Sequence, residues 1–277
     1  MAGKTCLVTG ATAGIGRVTA RELARRGASV IVVGRSPERS EATVEEIRRE
    51  TGNPAVEHLV ADLSSQADVR RLVGEFKARH DRLDVLVNNA GAMFAPRREN
   101  ADGIEMTWAL NHLGYFLLTG LLLDTLRASA PSRVVSVASD AHRMVPGIDF
   151  DDVQGKKSYR AFRIYGQSKL ANILFTRELA RRLEGSGVTA NCLHPGFVAT
   201  SFTAGEGWIY WAMRQLARVA AITPDEGAKT TIYLATSPEV EGVSGGYFAK
   251  CRPAKGTPAS RDEAAARRLW ELSERMT

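Results

Sequence analysis

Cysteine is scarce in this chain of 277 residues, which has only Cys6, Cys192 and Cys251. The three lie far apart and form no Cys-x-x-Cys pair, which excludes a cysteine zinc site and a disulfide framework. Two of them fall inside predicted buried strands, where a free cysteine behaves as a small apolar side chain in a reducing compartment. We therefore expect a cytoplasmic protein without a metal site.

Long apolar runs and linkers are lacking as well. No apolar run approaches the ~18 residues of a membrane span, and the first predicted strand begins almost at Met1, which leaves no room for a signal or an anchor. No Pro-rich or Ser-rich stretch interrupts the chain, and its 44% of hydrophobic residues can fill one sizeable core. We expect one soluble domain over residues 1–277, with no transmembrane segment.

Basic stretches interleaved with aromatic residues, as a nucleic-acid groove needs, are missing too. The formal net charge is +6. The paired arginines fall on predicted helices, where solvated faces explain them: Arg25-Arg26, Arg48-Arg49, Arg70-Arg71 and Arg181-Arg182. We expect no nucleic-acid partner.

What the chain does have is a regular alternation of β-rich apolar runs with helical patterns. The runs lie at 5–9, 29–33, 56–61, 84–88, 133–138 and 188–193, and the helical patterns at about 15–26, 37–51, 66–80, 104–128 and 160–183. A further short strand is expected near Tyr247-Phe248. Such alternation indicates βαβ units, and continuous runs such as Val30 to Val33 fit strands covered on both faces. The pattern predicts an α/β fold with a doubly wound parallel sheet of about seven strands and helices on both faces.

A glycine-rich turn joins the first strand to the first helix, with the sequence Gly10-Ala-Thr12-Ala-Gly14-Ile15-Gly16-Arg17. The first glycine permits the turn, the second lets backbone amides approach a pyrophosphate, and the third lets helix pack on strand. An ordinary glycine-rich surface loop is the alternative for this motif alone. With the alternating pattern, it predicts a Rossmann fold that binds a dinucleotide.

The end of the second predicted strand indicates which dinucleotide. An acid there selects NAD, whereas an arginine accommodates the 2′-phosphate of NADP. Here the strand ends in Gly34-Arg35, no acid occurs before Glu38, and Arg17 follows the glycine turn. We therefore expect NADP, with NAD less favoured, unless both arginines are merely exposed. Asp62-Leu63 and Asn88-Asn89-Ala90-Gly91 end the next two strands, where ligands lie in open α/β sheets.

Tyr165 and Lys169 are four residues apart, so on a helix they share one face. A phenol titrates near pH ~10 and becomes an acid and base near neutrality only if a cation stabilises its phenolate. Lys169 is a candidate for that cation. Alone, this spacing more often marks a solvated helix face.

Taken together, these residues resemble the short-chain dehydrogenase/reductase family over nearly the whole chain. The motifs, in the family's order, are Thr9-Gly10-Ala-Thr-Ala-Gly14-Ile-Gly16, Asn88-Asn89-Ala90-Gly91, Asn111, Ser139, Tyr165-x-x-x-Lys169 and Pro195-Gly196. Five segments are similar to the retinol-dehydrogenase-like branch: Asn111 to Thr119, Ser139-Asp-Ala-His142, Gln167 to Asn172, Thr176 to Ala180 and His194-Pro-Gly196.

The resemblance implies a catalytic set of Asn111, Ser139, Tyr165 and Lys169. Tyr165 would be the general acid/base, Lys169 would lower its pKa and hold the nicotinamide ribose, and Ser139 would bind the substrate oxygen. Asn111 would position a water that links Lys169 to solvent.

The resemblance also implies the cofactor contacts. Asn88, Ala90 and Gly91 would pack on the adenosine ribose and the cofactor, and Asp62 would meet the adenine. The segment Pro195-Gly196-Phe-Val198-Ala-Thr200 would contact the nicotinamide. Residues 1–130 would then be mainly dinucleotide-binding, 131–200 catalytic and 201–225 a substrate lid.

Two features depart from the common family pattern. Ser139 and Tyr165 are 26 residues apart, about twice the usual separation, and residues 140–163 form a polar insertion that the retinol-dehydrogenase-like branch shares. Ala138 stands where many relatives have a first serine, which leaves Ser136 and Ser139 as candidates. Ser139 fits better because it lies at the carboxyl end of the strand.

Other interpretations of the polar residues are weaker. Ser139, Asp140 and His142 resemble parts of a hydrolase triad, but they are neighbours and the chain has no Gly-x-Ser-x-Gly turn. His112 and His194 are lone histidines, for which structural roles are expected. The apolar run Phe116 to Leu123 predicts a buried helix, which in the family often lies at a subunit interface, so a homodimer is plausible.

The substrate is expected to be lipophilic. The lid segment contains Phe202 and Trp208-Ile-Tyr-Trp-Ala-Met213, an aromatic and aliphatic face that favours a lipophilic aldehyde, ketone or alcohol. A helix packed on the core is the alternative for this segment. The sequence thus predicts an NADP-dependent oxidoreductase. The competing hypothesis is a catalytically silent nucleotide-binding regulator of the same fold.

Overall fold

The computed structural model describes residues 1–196 and 222–277. Within them, strands join in one sheet of order β3-β2-β1-β4-β5-β6-β7-β8. The strands are β1 (Thr5–Thr9), β2 (Ser29–Gly34), β3 (Val56–Val60), β4 (Val85–Asn88), β5 (Ser132–Val137), β6 (Val188–His194), β7 (Tyr247–Ala249) and β8 (Arg252–Pro253). All neighbours are parallel except β7 and β8, which are antiparallel.

The order of the sheet reverses at β1, which pairs with β2 on one side and with β4 on the other. Chain connections leave β1 and β4 in opposite directions at this point, and the crevice outside their carboxyl ends is where open α/β sheets bind ligands. The glycine turn follows β1 and the Asn88 segment ends β4, so both border that crevice.

Helices cover both faces of the sheet. They are α1 (Gly14–Arg25), α2 (Pro37–Thr51), α3 (Gln66–Arg79), α4 (Met106–Ala128), α5 (Ala161–Arg182), α6 (Pro224–Thr236) and α7 (Glu263–Met276). The continuous helix α4 contains a π-helical segment, Ala109–Leu113, between its α-helical parts. Short 3-10 turns follow β5 at Asp140–Met144 and α6 at Pro238–Val240.

Residues on a strand alternate between the two layers because side chains of an extended chain point to opposite faces. Val30 and Val32 of β2 pack with α1, α2 and α6, whereas Ile31 and Val33 pack with the side of α3, α4 and α5. All four side chains are buried. The sheet is therefore covered on both faces, as the continuous apolar runs predicted.

The fold class is confirmed: the chain forms an α/β sheet of the Rossmann type. One strand more than about seven is present because β8 is only two residues long, too short for a sequence pattern. Helix α4 is long and apolar enough, by length and composition, to cross a membrane, and 78% of its most apolar window is buried inside the protein. This burial fits the predicted core helix, and the cytoplasmic location stays a prediction.

The C-terminal helix α7 packs on α5 and closes the outer side of the α4/α5 layer. The Trp270 ring stacks on Phe175 at 5.9 Å between centroids and meets Phe116 of α4 edge-on at 4.9 Å. The Arg182 guanidinium lies 4.3 Å from the centre of the Trp270 ring. Aromatic contacts of this kind stabilise beyond their buried area, so α7 is firmly docked.

Candidate active site

The glycine turn presents the amino terminus of α1 to the crevice. Gly10 and Gly14 have φ angles of +64° and +54°, which side chains of other residues rarely adopt. A Cβ on Gly16 would lie 2.4 Å from the carbonyl oxygen of Gly10, so this close backbone packing also requires glycine. Ala13, the residue before the helix, has no side chain that caps it. The first amides of α1 are thus available to an anionic group, and the turn fits a diphosphate.

Two residues that were not predicted hold this turn against the end of β4. The Thr9 hydroxyl donates to the carbonyl oxygen of Val87 and accepts from the amides of Asn89 and Ala90. The Asn89 side chain donates in return to the Thr9 carbonyl, at 2.8 Å. Both residues stand inside the motifs themselves, so adjacency to the glycine turn and to Asn88 was the available signal.

Ile15 differs from the other predicted contacts in where its side chain lies. It packs with Val18 and, across the helix pair, with Ala228 and Ile232 of α6. Only its backbone amide, in the first turn of α1, can therefore face a ligand. The predicted role of Ile15 is limited to the main chain.

The carboxyl end of β2 carries the basic residues expected at an adenosine ribose. A Cβ on Gly34 would lie 2.5 Å from the Thr12 side chain, so Thr12 sits directly over the strand end. Arg35 is exposed beside it. Arg17 is also exposed, and its guanidinium already pairs with Glu46 of α2 at 3.0 Å. The crevice thus offers two guanidiniums, one of which has an acidic neighbour.

The ends of β3 and β4 lie at the same edge, as predicted. Asp62 is partly exposed and its carboxylate accepts from the amide and the hydroxyl of Ser64. Leu63 is buried, and its carbonyl oxygen lies 2.5 Å from a Cβ built on Gly114 of α4. The Asn88 amide donates to Thr119 of the same helix. These contacts fix the strand ends to α4, and Ala90 and Gly91 follow at the surface of the crevice.

Tyr165, Ser139 and Lys169 converge on the adjoining part of this edge. Ser139 lies just after β5, and its hydroxyl hydrogen-bonds Tyr165 of α5. The Lys169 ammonium is one turn further along α5, 5.8 Å from the centre of the Tyr165 ring, and donates to the carbonyl oxygen of Val137 at 3.0 Å. Ser136, the other candidate serine, is a buried residue within β5. Ser139 is therefore the serine that the fold brings to Tyr165.

Burial moves the pKa of both titratable groups toward the neutral form. It raises the pKa of Tyr165 to about 12, against the opposing effect of the Ser139 hydrogen bond. It lowers the pKa of Lys169 to about 7. The Tyr165 hydroxyl consequently keeps its proton at neutral pH, and Lys169 titrates in the physiological range.

Asn111 lies in the π-helical segment of α4, buried beside Lys169. Its side chain accepts from the amide of Ala92 at 2.9 Å and donates to the carbonyl of the same residue, also at 2.9 Å. It donates further to the Ser168 hydroxyl. Asn111 Oδ1 and Lys169 Nζ both lie within 3.3 Å of the point where a Cβ would stand on Gly91. The structure thus brings all four predicted catalytic residues together.

The loop after β6 is tied to the Ser139 loop through His194. Its Nδ1 accepts from the amides of Asp140 and Gly196, and its Nε2 lies 3.1 Å from the Asp140 carboxylate. Burial lowers the pKa of His194, with Asp140 opposing. Gly196 has a φ angle of +97° and packs on Ile222. Pro195 and Gly196 thus reach the site, whereas Val198, Thr200 and most of the predicted lid at 201–225 lie outside the described residues.

A cavity of about 530 Å³ is lined by segments that neighbour the site residues along the chain. Its walls come from the segments just after Gly91, just after Ser139 and just before Tyr165, and include Met93, Ala95, Pro96, Met144, Tyr159 and Phe162. A larger cavity of about 920 Å³ lies at the opposite, amino-terminal ends of the strands and contains none of the predicted site residues. Among the described residues, no predicted site residue lines either cavity, but the smaller one borders the segments that carry Gly91 and Tyr165 and is therefore the candidate substrate cavity.

The chain is similar to known proteins over nearly its whole length. The short chain dehydrogenase family matches residues 4–207, a range that spans every candidate site residue. Human retinol dehydrogenase 14 is 47% identical over 299 aligned residues, which cover 100% of this chain and 87% of that protein.

Two solved structures extend the comparison to three dimensions. A protein from Mycobacterium paratuberculosis has a TM-score of 0.80 at 36% identity, over 99% of this chain and 93% of that one. A short chain dehydrogenase from Burkholderia cenocepacia in complex with NADP has a TM-score of 0.72 at 28% identity, over 89% and 96% of the two chains.

Proposed function

Because the chain belongs to the short-chain dehydrogenase family, in its retinol-dehydrogenase-like branch, we propose that it transfers hydride between NADP(H) and a lipophilic aldehyde, ketone or alcohol. Membership makes it an NAD(P)-dependent oxidoreductase of CH–OH donors or the corresponding carbonyls. The preference for NADP, the lipophilic substrate and the individual residue roles are the proposal. The convergence of Ser139, Tyr165, Lys169 and Asn111 carries it.

Tyr165 is the proposed general acid. Its raised pKa keeps the hydroxyl protonated, so it can donate to the oxygen of a carbonyl as negative charge develops there. Ser139, already hydrogen-bonded to Tyr165, can bind that same oxygen and orient it. Lys169 in its charged form stabilises the phenolate that proton donation leaves. The reduced nicotinamide supplies the hydride when bound.

The end of β2 supports NADP over NAD. The open amino terminus of α1 suits the diphosphate that both cofactors share, whereas the strand end with Gly34 and Arg35 offers a guanidinium where an NAD-selective site has an acid. Glu38, the first acid after the strand, is exposed, and the Ser36 hydroxyl donates to it at 2.6 Å. Its carboxylate is thus held at the start of α2.

The cavity supports a lipophilic substrate. Its volume lies within the ~300–1,000 Å³ typical of small-molecule sites, and its walls are mostly apolar and aromatic residues, with Arg160 and Arg163 beside them. Met144 and Phe162 are exposed at its rim, with 66% and 41% of their surface accessible. These exposed apolar side chains can bury the hydrocarbon part of a substrate while its carbonyl reaches Tyr165.

The test is the loss of nicotinamide absorbance when NADPH is incubated with a panel of aliphatic aldehydes, retinal, aromatic ketones and steroid ketones. We expect wild type to oxidise NADPH only with a carbonyl present, and kcat/KM to rise with the apolar size of the carbonyl. Tyr165→Phe, which keeps the ring and removes the proton, should lose at least about a hundredfold in kcat.

The controls distinguish the alternatives. Tyr159→Phe is unsuitable because Tyr159 lines the candidate cavity. Tyr233→Phe is the matched control, because it removes a hydroxyl that donates to Glu239 and Tyr233 does not line that cavity. Tight NADPH binding without turnover of any carbonyl would favour the silent regulator instead. Equal activity of Tyr165→Phe and wild type would remove Tyr165 from the mechanism.

A further inference from the structure

A buried histidine connects the catalytic helix to the C-terminal helix. His112 follows Asn111 in the π-helical segment of α4 and is completely buried. Its Nε2 lies 2.8 Å from the hydroxyl of Ser273 in α7. The ring contacts Trp108 and Phe175, with centroids 4.9 Å and 6.3 Å away. Three helices of the layer thus meet at this one side chain.

The hydrogen-bond network fixes the tautomer of His112. The Ser273 hydroxyl donates its single proton to the carbonyl oxygen of Leu269, one turn earlier in α7. It must therefore accept from His112, which places the imidazole proton on Nε2. Burial lowers the pKa of His112 to about 3, so the ring stays neutral at working pH. A fixed neutral tautomer has one remaining acceptor, Nδ1.

That remaining side of the ring faces α5. Asn172 is the polar neighbour that opposes the burial effect on the pKa of His112. The Asn172 amide also reaches the carbonyl oxygen of Val137 at 3.4 Å, the same oxygen that accepts from Lys169 at 3.0 Å. Asn172 Oδ1 and His112 Nδ1 are both acceptors, and neither has a hydrogen-bond partner among the described residues. Asn172 therefore lies beside the ring without a hydrogen bond to it, and the connection from α7 toward the active site runs through His112 to the neighbouring Asn111.

We propose that His112, anchored by Ser273, is a positioning residue for the active site. Through the π-helical segment it holds the backbone of Asn111, whose side chain lies beside Lys169. Segments of π-helix are rare and often occur at functional sites. In this one, the residue after Asn111 is hydrogen-bonded to another helix through Ser273. The C-terminal helix thereby becomes part of the catalytic support.

The inference rests on the proposed function. Three variants distinguish an effect on the position of the active-site residues from an effect on the stability of the protein. Ser273→Ala leaves the buried His112 N–H without an acceptor, which costs stability. His112→Phe keeps the ring volume, and the double variant His112→Phe with Ser273→Ala removes donor and acceptor together, which relieves the unpaired group. If the pair only stabilised the fold, the double variant would regain enzyme activity together with stability.

Ser129 supplies the matched control. Like Ser273, Ser129 is buried, and its hydroxyl donates to the carbonyl oxygen four residues earlier and accepts one N–H, here from Leu83, although Ser129 stands in the turn just after α4. It lies at the other end of α4, far along the helix from Asn111. Ser129→Ala should therefore lower Tm by a few degrees, as Ser273→Ala does, while its kcat stays that of wild type.

The readouts are Tm, kcat for the best carbonyl of the panel, and the Kd of NADPH from its fluorescence. We expect the double variant to regain Tm relative to Ser273→Ala but to keep a kcat lowered at least about tenfold and a weakened Kd. Wild-type kcat and Kd in the double variant, or an equal loss of kcat in Ser129→Ala, would overturn the inference. If wild type turns over no carbonyl, the proposed function fails, and the Kd of NADPH alone decides for or against His112.

Discussion

Replacing Arg35 by alanine should lower the affinity for NADPH and leave the affinity for NADH unchanged. Arg35 follows the carboxyl end of β2, is exposed, and forms no ion pair with a described residue. A hydrogen bond between charged groups contributes about 1.5–3 kcal/mol, and exposure to water brings the value toward the lower limit. We therefore expect the Kd of NADPH to rise roughly tenfold.

Arg17 should contribute less, because its guanidinium already pairs with Glu46 at 3.0 Å. A 2′-phosphate has to compete with that carboxylate or share the guanidinium with it. Arg17→Ala should accordingly weaken NADPH binding less than Arg35→Ala does. Glu46→Gln removes the competitor and should tighten NADPH binding by a few-fold, with no effect on NADH.

The assay is fluorescence titration of both reduced cofactors at two salt concentrations. The contribution of Arg35 should shrink at higher salt because exposed charge pairs are screened. Arg49→Ala, an exposed arginine in the last turn of the same helix that follows Arg35, is the matched control. If Arg35→Ala weakens NADPH and NADH equally, the residue supports the fold rather than a phosphate; if neither changes, the site lies elsewhere.

Three further predictions concern the turn, the fold and the acid/base pair. Gly16→Ala puts a Cβ 2.4 Å from the Gly10 carbonyl and should abolish NADPH binding in titrations, whereas Gly120→Ala, where a Cβ meets nothing within 4 Å, should not. Asp84→Asn should cost about 1–2 kcal/mol in urea unfolding at neutral pH, because the buried carboxylate accepts from Arg82, Lys4 and the Thr5 amide.

The pKa of Asp84 is lowered overall, burial being outweighed by those partners, so its contribution is complete above the unfolded pKa of ~3.9 and is lost as pH falls through the folded value. Asp84→Asn and wild type should therefore converge in stability in acid. Carbonyl reduction should decline above pH of about 7 as Lys169 loses its charge. Lys169→Arg, which stays charged, should remove that decline in the pH profile of kcat if it still binds NADPH; an unchanged profile would exclude Lys169 as its source.

The elements and the main site were predictable because their signals are local. One short segment contains strand β1, the turn from Gly10 to Gly16 and helix α1. The dinucleotide-binding motif could therefore be identified from neighbouring residues alone. Tyr165 and Lys169 share a helix, and the spacing of four fixes their common face. Ser139 could be preferred over Ser136 because it lies at the end of the strand. In the structure, Ser139 is the serine that hydrogen-bonds Tyr165.

Contacts between distant segments were not predictable in the same way. His112 was interpreted as a lone structural histidine, since its partner Ser273 is 161 residues away. The π-helical segment escaped detection because it changes the hydrogen-bond register of α4 without changing the apolar pattern. Asn172 stood in a similarity motif, yet nothing in the sequence connected it to the Val137 carbonyl. Such pairings exist only once the sheet has brought α4, α5 and α7 together.

The acid/base pair shows why spacing alone gives an incomplete account of the chemistry. From the sequence, Lys169 was expected to lower the pKa of Tyr165, but in the fold both groups are buried and both pKa values move toward the neutral form. A protonated phenol beside a weakly basic amine is suited to giving a proton. In the opposite direction, alcohol oxidation needs the phenolate, which low polarity disfavours unless Lys169 is charged. The buried, protonated phenol thus suits the proton donation proposed for Tyr165, and the charge of Lys169, which donates to the Val137 carbonyl, governs how readily the phenolate forms.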